Sequence, residues 1–171
     1  MMKTFEMSGN LAGEMGLGKS FEKFRNTIRK VRNYYINYLG DQFMNSIGLY
    51  VDNATKNSGH TPIITPILGK YLIIKLGIAP EYDEARVAFQ FAHELMHFAF
   101  YVQYGIDKTL ADEQEEAICS AAALIVIHNL YPKDFDRYDK YVKSLQRLAW
   151  REGAEIAAKL EYQFAELIKM I

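Results

Sequence analysis

The stretch VAFQFAHELMHFAFYV at residues 87–102 constrains the fold of this chain more than any other feature of its sequence. It contains no proline or glycine, and its strongly polar residues are Gln90, His93, Glu94 and His97. At 100° per residue these four fall within about a third of a helix circumference, while the other faces are Val, Ala, Phe, Leu and Met. Uncompensated polar side chains in such surroundings would cost several kcal/mol. The pattern therefore predicts a largely buried helix whose single polar stripe opens on a site.

The five residues HELMH, 93–97, predict a zinc site on that stripe. His93 and His97 lie at i and i+4 on one helix face, so both rings can reach one Zn²⁺ at about 2.0–2.1 Å. Glu94, between them, is placed to act as a general base toward a water molecule. The structural alternative is a hydrogen-bonded network in the core. We predict metal binding, because an ion open to a cleft relieves the cost of the whole stripe.

A catalytic zinc needs a third protein ligand and one open position. The candidates are the acids of DEQEEAICSAAALI, namely Asp112, Glu113, Glu115 and Glu116. From His97 to Gly105 the helix rises about 12 Å, and an antiparallel helix starting at Thr109 would bring Glu116 back by about 10–11 Å. Glu116 is therefore the predicted third ligand, with Glu113 and Glu115 as alternatives. Asp112 and Glu113 also suit the dipole at a helix N-terminus.

Other residues of the sequence have side chains that could bind a metal or stabilise an oxyanion. Cys119 is interpreted as a small buried hydrophobe and not as a ligand. His60 and His128 are interpreted as structural. Any of three tyrosines could help to stabilise an oxyanion, namely Tyr101, Tyr104 and Tyr131.

A second motif, GEMGLGKS at 13–20, matches the phosphate-loop pattern G-x-x-x-x-G-K-[ST] and offers Lys19 and Ser20 to a nucleotide. A working phosphate loop follows a buried strand and opens a helix within a parallel sheet. No strand-like run precedes Gly13, and IGLYVD at 47–52 has no evident parallel partner. Nucleotide binding is therefore the alternative function.

The remaining pattern predicts a single α+β domain over residues 1–171. Residues 1–18 are expected to form a flexible arm, and apolar spacing predicts a helix over 21–39. Three short strands, at 47–51, 62–67 and 70–76, predict a small, largely antiparallel sheet. Helices follow over 81–104 and about 110–130, the second opened by a capping box at Thr109. A C-terminal helical extension covers 133–171, with a break or bend at Gly153.

Charge and cysteine content predict the cellular compartment of the protein and the class of its partners. The net charge is −1, so nucleic acid is not expected as the main partner, and the basic stretch from Lys19 to Arg32 is interpreted as a solvated helix face. The single cysteine excludes an internal disulfide and, with no signal peptide visible, predicts a cytoplasmic protein. The apolar run 117–127 is too short to cross a membrane. The apolar stripe of the C-terminal helices could pack on the domain or form a homodimer.

HELMH with a downstream glutamate resembles the gluzincin class of zinc metallopeptidases. In size and layout the chain is more similar to the ImmA/IrrE type of minimal metallopeptidase domain, which has a zincin-like fold. The resemblance covers roughly residues 20–130. It implies that His93, His97 and Glu116 bind Zn²⁺, that Glu94 is the catalytic base, and that the substrate is an intracellular protein or peptide such as a repressor-like regulator. Ile118 stands where that family usually has Asn or Asp after the E-A pair.

Overall fold

The computed structural model describes residues 5–12, 21–54 and 61–171, which form an α+β fold. The strands are β1 (Phe5–Met7), β2 (Gly48–Asn53), β3 (Ile63–Ile67) and β4 (Tyr71–Leu76). The helices are α1 (Gly9–Ala12), α2 (Glu22–Leu39), α3 (Asp41–Met44), α4 (Glu84–Tyr104), α5 (Glu113–Leu130), α6 (Phe135–Ser144), α7 (Leu148–Lys159) and α8 (Phe164–Leu167). The predicted α+β class is confirmed, as is the order of a helix, strands and then helices from residue 21 onward.

The sheet differs from the prediction in the number of its strands and in their direction. Its order is β1-β2-β4-β3, and β2 pairs parallel with both β1 and β4, whereas β3 pairs antiparallel with β4. The prediction of three largely antiparallel strands was therefore wrong. β1 lies within the expected flexible arm and has only three residues, too few for a periodic pattern to appear. Helix α2 carries the chain back across the sheet, so β2 can run parallel to β1.

Helices α4 and α5 form the centre of the core. α4 packs against α2, β4 and α5, while α5 lies between α4 and α7. Because α5 is covered on opposite sides, every residue from Ala117 to Ile127 is buried. The hydroxyl of Tyr35 on α2 donates to the carbonyl oxygen of Ala92 at 2.6 Å, which satisfies a polar group inside the apolar contact with α4.

The start of α5 differs from the sequence prediction. Asp112 is the N-cap, and its carboxylate accepts a hydrogen bond from the backbone N–H of Glu115 at 2.8 Å, so the predicted capping box at Thr109 was wrong. α4 ends at Gly105, whose φ of 102° favours glycine. Residues 105–112 therefore make the return between the two helices without helical structure. Glu116 consequently lies in the first turn of α5.

The C-terminal helices are part of the core. The break in their pattern falls between α6 and α7 and not at Gly153, which lies inside α7. A Cβ at Gly153 would come within 2.5 Å of the Ser120 Cβ, so α7 packs closely on α5 at this point. None of the helices described is long and apolar enough to cross a membrane.

Candidate metal centre

Helices α4 and α5 bring the three predicted zinc ligands together. His93 Nε2 lies 3.4 Å from Glu116 Oε2, and His97 Nε2 lies 3.7 Å from Glu116 Oε1. One donor atom from each of the three side chains lies within 4.8 Å of the other two. Both imidazoles therefore turn the same nitrogen toward one carboxylate.

This arrangement fits a small divalent ion. Donor atoms bound at about 2.0–2.1 Å to one tetrahedral Zn²⁺ lie about 3.3–3.4 Å apart. The nitrogen–oxygen contacts of 3.4 and 3.7 Å go to different oxygens of Glu116, so small side-chain shifts would bring one donor atom of each residue onto a single ion. Two imidazole nitrogens and one carboxylate oxygen form a donor set typical of catalytic zinc sites. The side chains of His93 and Glu116 keep 16% and 15% of their surface exposed, so a fourth position can reach solvent.

Glu116 has further partners that hold its carboxylate in place. The indole N–H of Trp150 on α7 donates to Glu116 Oε2 at 3.0 Å. Burial raises the pKa of Glu116, but hydrogen bonds from His93 and Trp150 outweigh it and bring that pKa to about 2. Glu116 is therefore a carboxylate at neutral pH.

Glu115, an alternative third ligand in the sequence, contacts the other side of the histidine. Its Oε1 lies 2.7 Å from His97 Nδ1, and its Oε2 accepts from the ammonium of Lys108 at 2.8 Å. A hydrogen bond at Nδ1 fixes the tautomer that leaves Nε2 free to bind a metal. Glu115 thus contacts the candidate ligand His97 on the side away from Glu116 and does not join the cluster of His93, His97 and Glu116.

Glu113, the remaining alternative, pairs with a cation from α7. Arg147 contacts it through two nitrogens, at 2.6 Å to Oε1 and 3.3 Å to Oε2. The third nitrogen of the guanidinium lies 3.5 Å from Glu116 Oε1. Glu113 therefore holds a positive charge beside the site, and Arg147 links it to Glu116.

Glu94 lies beside the cluster and is 6% exposed. Burial is the main cause that raises its pKa, to about 7, with a contribution from the negative charge of Glu116 and an opposing one from His93. A carboxyl group with a pKa near neutrality is suited to accept and return protons. The side chain lines the same cleft as His93 and His97.

A second group of potential ligands, made of His97, Glu115 and Cys119, is less suited to an ion. Its donor atoms are also within 4.8 Å of one another. However, Cys119 is completely buried, and burial raises the pKa of its thiol well above the usual value, so it stays protonated. The position of Cys119 in the apolar core agrees with its interpretation as a small hydrophobe.

The cluster lies in a cleft of about 750 Å³. One wall is the edge of the sheet at Ile63 and Ile64, and the opposite wall is aromatic. In that wall the Phe89 ring stacks on Tyr138 with centroids 4.9 Å apart and meets Tyr141 edge-on at 6.0 Å. The cleft lining is therefore largely apolar, with charged groups at the candidate metal site and with Arg86 and Arg137 beside the aromatic wall.

Of the other residues that the sequence suggested for the site, some line the cleft and some do not. Tyr101 lines the cleft, whereas Tyr104 and Tyr131 are not among its lining residues. His128 stacks on Tyr162 at 4.3 Å, which suits its structural interpretation. His60 lies outside the described residues. Gln90, on the polar stripe, contacts the backbone N–H and C=O of Gly77 at 3.3 and 3.4 Å and does not join the cluster.

Three residues of the site were not found by sequence reasoning. Lys108, Arg147 and Trp150 reach it from the α4–α5 return and from α7. Neither segment has a spacing relation to HELMH. The only hint is that Trp150 is the single tryptophan of the chain.

The phosphate-loop motif at 13–20 lies outside the described residues, but its flanks bear on the prediction. β1 lies upstream of it and is a parallel partner for β2, so the expectation that the strand at 47–52 has no parallel partner was wrong. β1 is, however, a three-residue edge strand, and α1 separates it from Gly13. In phosphate-loop proteins the loop follows its strand directly.

Comparison of the chain with family models, with curated proteins and with solved structures found no match. The site therefore has to be interpreted from its own geometry.

Proposed function

We propose that this protein is a zinc-dependent metallopeptidase that hydrolyses a peptide bond in a protein or peptide substrate. The observation that carries the proposal is the convergence of His93 Nε2, His97 Nε2 and a Glu116 carboxylate oxygen at distances suited to one ion. Zinc bound there would supply a Lewis acid and would make a water molecule more acidic. Its binding would also compensate the burial of His93, Glu94 and His97 on the polar stripe of α4.

The remaining chemistry is assigned to side chains of this protein. Glu94 accepts a proton from the attacking water and returns it to the leaving amine, a role for which a pKa near neutrality is favourable. To Arg147, which Glu113 holds beside the cluster, we assign the binding of the oxygen on which negative charge develops. This assigns to an arginine the role that the sequence suggested for a tyrosine.

The cleft suits an extended polypeptide. Among residues 5–12, 21–54 and 61–171, β3 pairs with β4 alone, so its other edge, beside the cleft, can pair with a substrate strand. The aromatic wall at Phe89, Tyr138 and Tyr141 can take a bulky apolar side chain. We propose a cytoplasmic substrate, such as a repressor-like regulator, because the only cysteine is a buried thiol and the resemblance to ImmA/IrrE-type domains suggests it.

The test combines zinc content with peptide hydrolysis. Protein purified without added metal is expected to contain about one zinc per chain in wild type, in Glu94→Gln and in Glu113→Ala, and to lose it in His93→Ala and Glu116→Ala. Hydrolysis of a quenched fluorogenic peptide library is expected to fall by about 10²–10⁴-fold in Glu94→Gln. Zinc without any hydrolysis, with wild type and Glu94→Gln alike in every assay, would indicate a non-hydrolytic zinc-containing regulatory protein instead.

Nucleotide binding is the second candidate, favoured by one observation. The segment GEMGLGKS lies between β1 and α2, and β1, α2 and β2 form a parallel strand–helix–strand unit. If this is the function, Lys19→Ala abolishes binding of a nucleoside triphosphate and leaves zinc content unchanged. An absence of zinc from wild type even after reconstitution would favour it.

A further inference from the structure

Lys108 lies in the return between α4 and α5, and its ammonium group contacts two hydrogen-bond acceptors and one aromatic ring. It donates to Glu115 Oε2 at 2.8 Å and to the Thr109 carbonyl oxygen at 3.1 Å, and it lies 4.6 Å from the centre of the Tyr101 ring. Only 8% of its side chain is exposed. A buried ammonium is costly unless it is paired in this way, so the contact is a specific part of the fold.

Two hydrogen bonds connect Lys108 to the candidate metal site through Glu115. Lys108 binds one oxygen of Glu115, and the other oxygen lies 2.7 Å from His97 Nδ1. A carboxylate held at both oxygens has a fixed plane, and the imidazole bonded to it has a fixed ring orientation. If Lys108 is removed, Glu115 keeps only its contact to His97 and its backbone anchor on α5.

We propose that Lys108 is a positioning residue of the metal site, acting on His97 through Glu115. The inference rests on the proposed zinc site but not on its hydrolytic activity. Within the return at 105–112, Asp112 contacts the backbone N–H of Glu115, and Lys108 contacts the Glu115 carboxylate. The role differs from that of a ligand, because Lys108 does not contact the ion.

Removal of Lys108 has two opposite consequences for zinc affinity. The lysine carries a positive charge, so its loss alone would strengthen the attraction for Zn²⁺. Its loss also frees Glu115, and loss of such support for a ligand weakens binding by about 10–100-fold. The positioning role therefore predicts weaker binding, whereas a purely electrostatic role predicts tighter binding.

The first experiment uses metal-free protein and NMR of histidine ring nitrogens. The chain has four histidines, so the His97 signal can be assigned by replacing the other three in turn. In wild type the Nδ1–H of His97 is expected to exchange slowly with water, because Glu115 accepts it. In Lys108→Met we expect the exchange to be at least about tenfold faster, with Lys108→Arg close to wild type. Equal protection in Lys108→Met and wild type would overturn the proposal, whether or not the protein binds zinc.

The second experiment measures zinc affinity by competition with a chromophoric chelator. We expect Kd to rise by about tenfold or more in Lys108→Met and to recover in Lys108→Arg. Lys169→Met is the matched control, because Lys169 pairs with Glu166 on the surface and has no contact with the site. Unchanged or tighter binding in Lys108→Met would contradict the positioning role.

Folding is checked by thermal unfolding of the metal-free variants. If Lys108→Met does not fold, Lys108→Gln, which keeps a donor, is compared with Lys108→Arg in the same two assays, and the same ranking is expected. Zinc binding without peptide hydrolysis in wild type would contradict the proposed function and leave the role of Lys108 intact.

Discussion

Glu94 lies on the enclosed side of α4, and its raised pKa has a consequence for stability that does not involve catalysis. In the unfolded chain a glutamate titrates near 4.5, whereas in the metal-free folded protein the pKa of Glu94 is about 7. Between these values the folded state binds a proton that the unfolded state has released. The free energy of unfolding therefore falls as pH rises from about 4.5 to 7, by about 3 kcal/mol in total, and is constant above that range.

Glu94→Gln removes this titration, because glutamine is neutral at every pH. We expect the metal-free variant to be more stable than wild type at pH 8 by up to about 3 kcal/mol and equal to it below pH 4.5. Urea unfolding in the presence of a chelator at several pH values measures the difference. Glu155→Gln, an exposed change on α7, is the control. Parallel pH curves for Glu94→Gln and wild type would show that Glu94 is not held in an unfavourable environment.

At the residue scale, the sequence was sufficient to predict some residues of the candidate site but not others. The positions of His93, Glu94 and His97 follow from helical spacing alone, since residues four apart lie on one face. The prediction of Glu116 rests on a helix from Thr109, but the helix starts at Glu113, and the non-helical return at 105–112 brings Glu116 back to His97. The roles of Glu115 and Lys108 depend on the path of that return, which has no periodic pattern to reveal it.

At the scale of elements, the contact between α5 and α7 sets the geometry around Glu116. Gly153 lies against α5, where an added Cβ would be 2.5 Å from Ser120 Cβ and 2.8 Å from the Ala117 carbonyl oxygen. Ala normally favours a helix over Gly by about 1 kcal/mol. Here two backbones would have to separate, and overpacking of this kind costs about 1–3 kcal/mol. The steric effect should therefore exceed the gain in propensity.

We predict that Gly153→Ala lowers the free energy of unfolding by up to about 2 kcal/mol. It should also weaken zinc binding, because Trp150, one turn earlier on α7, donates to Glu116. Denaturant unfolding and a zinc competition assay measure the two effects. Glu152→Ala, exposed on the same helix, should change neither. If Gly153→Ala raises the free energy of unfolding and leaves zinc affinity unchanged, α5 and α7 can move apart without disturbing the position of Glu116.

The elements that the sequence predicted best are those with long periodic patterns, α2, α4 and α5. β1 was missed because three residues cannot show alternation, and its pairing with β2 made the sheet mostly parallel. A break or bend was expected at Gly153 because glycine often follows the end of a helix, but the break lies between α6 and α7. Gly153 instead allows α7 to pack closely on α5. This role depends on a contact between distant segments, which the local sequence pattern does not reveal.

At the scale of the whole molecule, residues 133–171 are not an appendage. Ala149, Ala154, Ala157 and Phe164 are buried against the rest of the chain, and Trp150 and Arg147 contribute to the site. Most of the apolar stripe that suggested a homodimer packs within one chain, whereas Leu148 of that stripe is 58% exposed. Folding of the C-terminal helices and assembly of the metal site are expected to be one cooperative event.

This coupling makes the melting temperature a test of both candidate functions. A ligand that binds only the native state stabilises it by about 2.7 kcal/mol at 100 times its Kd, which for a chain of this size raises Tm by about 5–11 °C. We expect this shift with Zn²⁺ in wild type and its loss in His93→Ala, reduced somewhat if the unfolded chain also binds the ion. Magnesium with ATP or GTP should leave Tm unchanged. If the nucleotide raises Tm in wild type but not in Lys19→Ala, while Zn²⁺ has no effect, the motif at 13–20 is the functional one and the cluster on α4 and α5 is a hydrogen-bonded core network.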